Sequence, residues 1–182
     1  MSSLQDFWKA TADILFCDVD GTLTDTVSGA TFKSSPRGVL VLPGIENALS
    51  HYAQEGYLMI GISNEGGVGA GHKKLEAAFE EKQYTCLLLR QLEAIYFCPD
   101  FAGQVLCRAD RDTATEIKIE PGKYSSFRKP GAGRIEYCLS LYGGDVGKCW
   151  MVGDRPEYEK AAETAGINFI AANIWPAQFT VA

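Results

Sequence analysis

Two aspartates one residue apart, Asp18 and Asp20, stand at the end of an apolar run in the stretch ILFCDVDGTLTD. On an extended strand, side chains two positions apart share a face, so both carboxylates point the same way. Like charges that close push one pKa up unless a cation lies between them. A third carboxylate, Asp154, follows the run CWMVG, and Ser63 and Asn64 end the run YLMIGI. Arg128 and Lys129 precede a helical pattern. Ligands that are all acidic oxygens favour a hard cation such as magnesium, and no histidine lies near in sequence to argue for zinc. The Ser63 hydroxyl, the Asn64 amide, the N–H groups of a helix start after Asn64, and the cations Arg128 and Lys129 are groups that hold a phosphate. With magnesium shielding the repulsion, Asp18 can attack phosphorus. Asp20 can protonate the leaving oxygen and then take a proton from water.

The elements that must position these groups alternate. Strands are expected at Ile14–Val19, Tyr57–Ile62, Ala94–Cys98, Cys149–Val152 and Asn168–Ala171. Helices are expected at Pro43–Gly56, from His72 to Lys82 or beyond, at Ala132–Tyr142 and at Glu157–Ala165. Pro43 suits a first helical turn and Gly56 a C-terminal stop. The long connection 21–44 is rich in Ser, Thr and Gly and reads as a functional loop with a small hairpin between Thr31–Lys33 and Val39–Leu42. Residues 99–127 read as an irregular insert carrying a strand near Thr115–Ile119, and residues 1–12 as a polar lead-in with a short helix. Alternating strands and helices imply a doubly wound α/β fold: a parallel sheet flanked by helices on both sides. Ligands bind such sheets at the carboxyl ends of the strands, where Asp18, Ser63 and Asp154 all fall. Thr22 and the loop to Gly44 are expected to shape access rather than perform chemistry.

The 182 residues suit a single domain, 1–182, with a sizeable core. A composition of 46% hydrophobic and 22% charged residues is ordinary for a globular chain. The formal charge of −6 gives no support for non-specific binding to nucleic acid or anionic membranes. The six cysteines form no CxxC and several sit in apolar runs, so free thiols in a reducing, cytoplasmic compartment are expected. No apolar run approaches the length of a membrane span. GGVGAG misses the spacing of a dinucleotide fingerprint because His72 stands where its last glycine is needed.

DVDGTLT, then ISNEGG, RKP and VGDRPEYEKAAETAGI resemble, in order and over residues 14–170, the four motifs of the haloacid dehalogenase (HAD) superfamily of phosphatases. SNEGGVGAG and FRKPGAG are most similar to the branch of histidinol-phosphate, heptose-bisphosphate and polynucleotide 3′-phosphatases. The resemblance implies a Rossmann-like sheet with a minimal or no cap domain. It also implies a magnesium-dependent phosphomonoesterase that works through an aspartyl-phosphate. Asp18 would be the nucleophile, and Asp20 the acid/base that also gives its backbone carbonyl to magnesium. Ser63 would hold a phosphoryl oxygen, Lys129 would neutralise charge and Asp154 would ligate the metal. Two departures stand out. The Cys-x-Cys pair that zinc-loop relatives carry beside the RKP motif is missing, which argues against zinc at Cys98 and Cys107. Where many relatives have a second aspartate after GD, this chain offers Glu157, or Tyr158 one place on. A small phosphorylated metabolite (a sugar or amino-alcohol phosphate) is the expected substrate, with a DNA 3′-phosphate end as the alternative. A non-catalytic phosphate-binding protein of the same fold is the competing class.

Overall fold

The computed structural model describes residues 12–30 and 33–179. The lead-in helix expected within residues 1–12 therefore falls almost wholly outside the described residues.

β1 (Ile14–Asp18) is the central strand, and every residue in it is buried. Its alternation explains why. Ile14 and Phe16 join one core with Ile60, Ile62 and Tyr96, whereas Leu15 and Cys17 join the opposite core with Met59, Ile95 and Val152. A strand covered on both faces needs apolar residues at every position, as parallel sheets do.

Two short strands, β2 (Thr24–Thr26) and β3 (Val39–Val41), pair antiparallel beside the main sheet. Thr31 and Phe32 of the expected first arm lie outside the described residues. Val39–Val41 does form one arm of a hairpin over this loop, and its partner is Thr24–Thr26. The cause is the turn after β1, where the amides of Leu23 and Thr24 both donate to the Val19 carbonyl and send the chain straight into β2. Helix α1 (Ile45–Gln54) buries Ile45, Ala48 and Leu49, and β4 (Leu58–Asn64) follows. A one-turn helix, α2 (Gly66–Gly69), precedes α3 (Leu75–Leu88), which leads to β5 (Leu92–Cys98).

The stretch expected as an irregular insert instead extends the sheet. β6 (Leu106–Ala109) runs antiparallel to β5, and β7 (Ala114–Ile117) runs antiparallel to β6. Leu106, Cys107 and Ala109 are buried, which is the packing reason for the pairing. Helix α4 (Gly133–Tyr142), β8 (Trp150–Gly153), α5 (Pro156–Ala165) and β9 (Asn168–Ala171) complete the sheet, and a 3₁₀ turn at Pro176–Phe179 packs on α1. The strand order is β7-β6-β5-β4-β1-β8-β9, with β5, β4, β1, β8 and β9 mutually parallel. The order reverses at β1, so the crevice at its carboxyl end, between β4 and β8, is where a ligand is expected. Among the described residues no helix is long and apolar enough to cross a membrane.

Candidate active site

Asp18 ends β1 at that crevice, with 1% of its surface exposed. Lys129 donates to its Oδ1 over 3.1 Å, the Tyr158 hydroxyl donates to the same oxygen, and Thr22 Oγ1 donates to Oδ2 at 3.0 Å. Thr22 therefore holds the carboxylate, a closer part than the access-shaping role expected of it. Lys129 lies 3.3 Å from the centre of the Tyr158 ring, so cation, ring and carboxylate stack as one unit. Burial pushes the Asp18 carboxyl up to about 6, with Lys129 opposing and Asp154 and Asp20 adding to the rise. Burial likewise pulls Lys129 down to about 7, against the pull of Asp18. Both shifts have one origin, a charge pair deprived of water.

The loop after β1 brings Asp154 in. Gly21 has φ +89°, and a Cβ there would lie 2.6 Å from Asp154 Oδ2, so only glycine admits this approach. The carboxylates of Asp18 and Asp154 thus flank one loop, and Lys129 is the cation placed on Asp18. The oxygen donors present fit a hard divalent cation. Glu157 is exposed, and Tyr158 fills the place facing Asp18. A Cβ on Gly153 would lie 2.5 Å from Tyr158 Cγ, which shows how closely the ring seats on the end of β8.

Asp20 does not share partners with Asp18. Lys33 donates to its Oδ1, and Lys82 and Ser63 each reach Oδ2 at 3.1 Å. Burial works against the Asp20 charge, but Lys82 and then Lys33 outweigh it and hold the carboxyl well below the usual range. Glu65, Glu81 and Asp20 place carboxylate oxygens within 4.8 Å of one another, a spacing a metal could use. Lysines fill this cluster. Lys82 contacts all three acids, Lys33 contacts Asp20 and Glu81, and Lys73 contacts Glu65 and Glu81. Asp18, Asp20 and Asp154 do not draw their carboxylates together to that spacing.

Ser63 and Asn64 end β4 as expected, and their environments differ. Ser63 faces Asp20 and Glu65. The Asn64 amide oxygen accepts from Arg134 at 2.7 Å and from the Lys129 backbone at 3.3 Å, so this side chain ties the loop before α4 to β4. Arg134 is buried and also donates to the Ser63 carbonyl. Arg128 lies 4.8 Å from the centre of the Phe101 ring and next to Gly66, and its Nη1 is buried without a hydrogen-bond partner. Cys98 and Cys107 are free and buried, with burial pushing each thiol up to about 12.

Sequence reasoning missed Lys33, Glu65, Lys73, Glu81, Lys82 and Arg134, and gave Tyr158 only second place to Glu157. One signal was available for two of them. Glu81 and Lys82 fall on the same helical stripe as Ala78, Thr85, Cys86 and Leu89, all of which are buried. A charge at a position the apolar period assigns to the core needs a partner.

A doubly wound sheet with a carboxylate pair at the end of β1, a serine at the end of β4, a lysine before α4 and a GD turn at the end of β8 defines a phosphatase of the HAD superfamily. The sequence profile of the polynucleotide kinase 3 phosphatase family matches residues 13–163, and the chain belongs to that family. It is 27% identical over 161 residues to the D-glycero-alpha-D-manno-heptose-1,7-bisphosphate 7-phosphatase of Burkholderia mallei, covering 84% of this chain and 75% of the relative. The D-glycero-beta-D-manno-heptose-1,7-bisphosphate 7-phosphatase of Haemophilus ducreyi is 27% identical over 137 residues, 69% of this chain and 65% of that one. Among solved structures, D,D-heptose 1,7-bisphosphate phosphatase from B. bronchiseptica, complexed with magnesium and phosphate, superposes with a TM-score of 0.65. It shares 20% sequence identity over 93% of this chain and 88% of that one.

Proposed function

We propose that the chain is a magnesium-dependent phosphomonoesterase that works through a phosphorylated Asp18, with a small sugar phosphate as substrate. The observation that carries this reading is the buried Asp18 carboxylate, gripped on one oxygen by Lys129 and on the other by Thr22, with Asp154 across the Gly21 loop. A buried acid held next to a second acid suits a nucleophile waiting for a cation and a phosphate. The names of the heptose-bisphosphate relatives support the sugar-phosphate class. Asp18, Asp154 and the Asp20 backbone carbonyl would hold magnesium, which when bound screens the negative charge that nucleophile and phosphate share.

The remaining roles belong to the chain itself. Asp18 forms a bond to phosphorus as the bond to the leaving oxygen breaks, and Asp20 gives that oxygen its proton. The incoming phosphate brings negative charge next to Asp20 and raises the pKa that Lys82 and Lys33 hold down. Asp20 then takes a proton from the water that attacks the phospho-aspartate. Ser63, at the end of β4, and Lys129 face the transferring group, and Arg128 stands at the rim with a free N–H edge. The family profile favours a second substrate class, the 3′-phosphate end of a polynucleotide.

Release of p-nitrophenol from p-nitrophenyl phosphate with magnesium is the first test. Turnover by the wild type and its loss in Asp18→Asn, with the melting temperature kept, are the expected results. A wild type that releases nothing under any divalent metal overturns the enzyme reading. A panel of sugar monophosphates and bisphosphates assayed beside a 3′-phosphorylated oligonucleotide then decides the substrate. Activity on the oligonucleotide should fall steeply with salt if cations grip its backbone.

A further inference from the structure

Asp20 and five side chains around it form a closed ring of alternating charge: Asp20, Lys82, Glu65, Lys73, Glu81, Lys33 and back to Asp20. Lys82 meets Asp20 at 3.1 Å, Lys73 meets Glu65 at 3.1 Å and Glu81 at 2.5 Å, and Lys33 meets Glu81 at 3.1 Å. Lys82–Glu65 and Lys33–Asp20 close the circuit, and Lys82 also reaches across to Glu81 at 3.1 Å. The members come from the β1 loop, the loop before β3, the turn after β4, the approach to α3 and α3 itself. Within this ring the Lys82 side chain is 0% exposed, whereas the Asp20 side chain is 41% exposed.

A buried lysine is costly to desolvate, and apolar residues of similar volume are often as stabilising as a buried ion pair. The ring therefore calls for a reason beyond stability, and its geometry supplies one. The most open carboxylate is Asp20, and the innermost cation holds it from behind on Oδ2, together with Ser63. Lys82 stands on a long helix packed against β5, so its grip is anchored in the framework.

We propose that Lys82, at the centre of this ring, is a positioning residue that fixes the Asp20 carboxyl where it can hand its proton to the leaving oxygen. The inference rests on the reading of Asp20 as the acid/base. In the step concerned, the Asp18–phosphorus bond forms, the bond from phosphorus to the leaving oxygen breaks, and the Asp20 proton goes to that oxygen. A poor leaving group such as phenoxide needs the proton. A good one such as 2,4-dinitrophenoxide departs without it. Loss of position at Asp20 must therefore appear as a dependence on the leaving group.

The experiment measures kcat/KM of the full chain with magnesium on phenyl phosphate and on 2,4-dinitrophenyl phosphate. Lys82→Met should lose about a hundredfold on phenyl phosphate, the lower end of what a general acid contributes, and less than about threefold on the dinitrophenyl ester. The double variant Lys82→Met with Glu81→Gln removes one charge of each sign, so it keeps the ring balanced if the single variant folds poorly. It should show the same split. Equal losses on both esters, or no loss on either, in a variant that melts as the wild type does, overturn the proposal. Asp20→Asn is measured alongside. A split in Asp20→Asn without one in the Lys82 variants sinks the positioning role alone, and no split in Asp20→Asn sinks the acid/base reading together with it.

Discussion

Replacing Lys129 with Met removes the cation from the buried nucleophile, and the structure sets how far Asp18 should respond. Lys129 Nζ lies 3.1 Å from Asp18 Oδ1. At that separation, with an effective dielectric of ~20, the Coulomb attraction is about 5 kcal/mol. Water entering beside a shorter, uncharged side chain recovers part of this, so a net loss of about 2–3 kcal/mol is expected, equivalent to about two pH units. The lost cation favours the neutral acid, so the direction is upward. Asp18 sits at about 6 in the wild type and should titrate near ~8 in the variant. The assay is a ¹³C NMR titration of the aspartate side-chain carboxyls in metal-free protein, with the Asp18 signal assigned by its absence in Asp18→Asn. Stability gives a second readout. The folded pKa of Asp18 lies above its ordinary 3.8. Its contribution is therefore present in full below 3.8 and is lost as pH rises through about 6, a change of about 3 kcal/mol. In Lys129→Met the decline should continue to about pH 8 by urea unfolding. A midpoint at or below that of the wild type would refute the claim that Lys129 keeps Asp18 ionised.

Two further outcomes follow from the same geometry. Gly153→Ala puts a methyl 2.5 Å from Tyr158 Cγ, on a buried ring whose hydroxyl meets Asp18 and whose face meets Lys129. It should cost about 1–3 kcal/mol in urea unfolding and lower kcat by displacing Asp18, so a variant as stable and as active as the wild type would count against that packing. Asp154→Asn should weaken magnesium binding by calorimetry at least about tenfold, because a carboxylate ligand is replaced by a neutral amide. Chelation of the wild type should abolish turnover, and magnesium should restore it. Unchanged magnesium affinity in Asp154→Asn would remove Asp154 from the metal site.

The parts of the site that the sequence shows are those set by the backbone. Asp18, Ser63 and Asp154 each end a strand, and the strands announce themselves as apolar runs. The topology then brings their ends to one crevice without any knowledge of side-chain contacts. Glycine marks such places too, since Gly21 stands where a Cβ would strike Asp154. The strands β6 and β7 are unequally legible. Alternation at Thr115–Ile119 points to β7 (Ala114–Ile117), whereas β6 is short and its pairing depends on the edge offered by β5, which no local pattern reveals. The partner of Val39–Val41 is hidden for a similar reason, because the turn at Val19 is what brings Thr24–Thr26 beside it.

The charged ring was illegible for a deeper reason. FEEKQY reads as the solvated face of a helix, since isolated Glu and Lys in a helical pattern are most often exposed. Only the helical period, which puts positions 81 and 82 in line with Ala78, Thr85, Cys86 and Leu89, argues that they turn inward. That argument gains force only once a partner charge is known to be waiting. Lys33 and Glu65 come from loops distant in sequence, so the partners exist only after folding. The same reasoning explains why Tyr158 ranked below Glu157. A motif comparison looks for a carboxylate, whereas Pro156 at the first turn of α5 sets which residue faces the sheet. At that register the inward residue is Tyr158, buried against Gly153, and Glu157 points to water. Its hydroxyl meets Asp18 where a second acid would have added negative charge. With one carboxylate fewer around Asp18, less negative charge opposes its ionisation, and Lys129 is the cation that favours the charged form in the metal-free site, which is why the titration of Asp18 in Lys129→Met tests the site most directly.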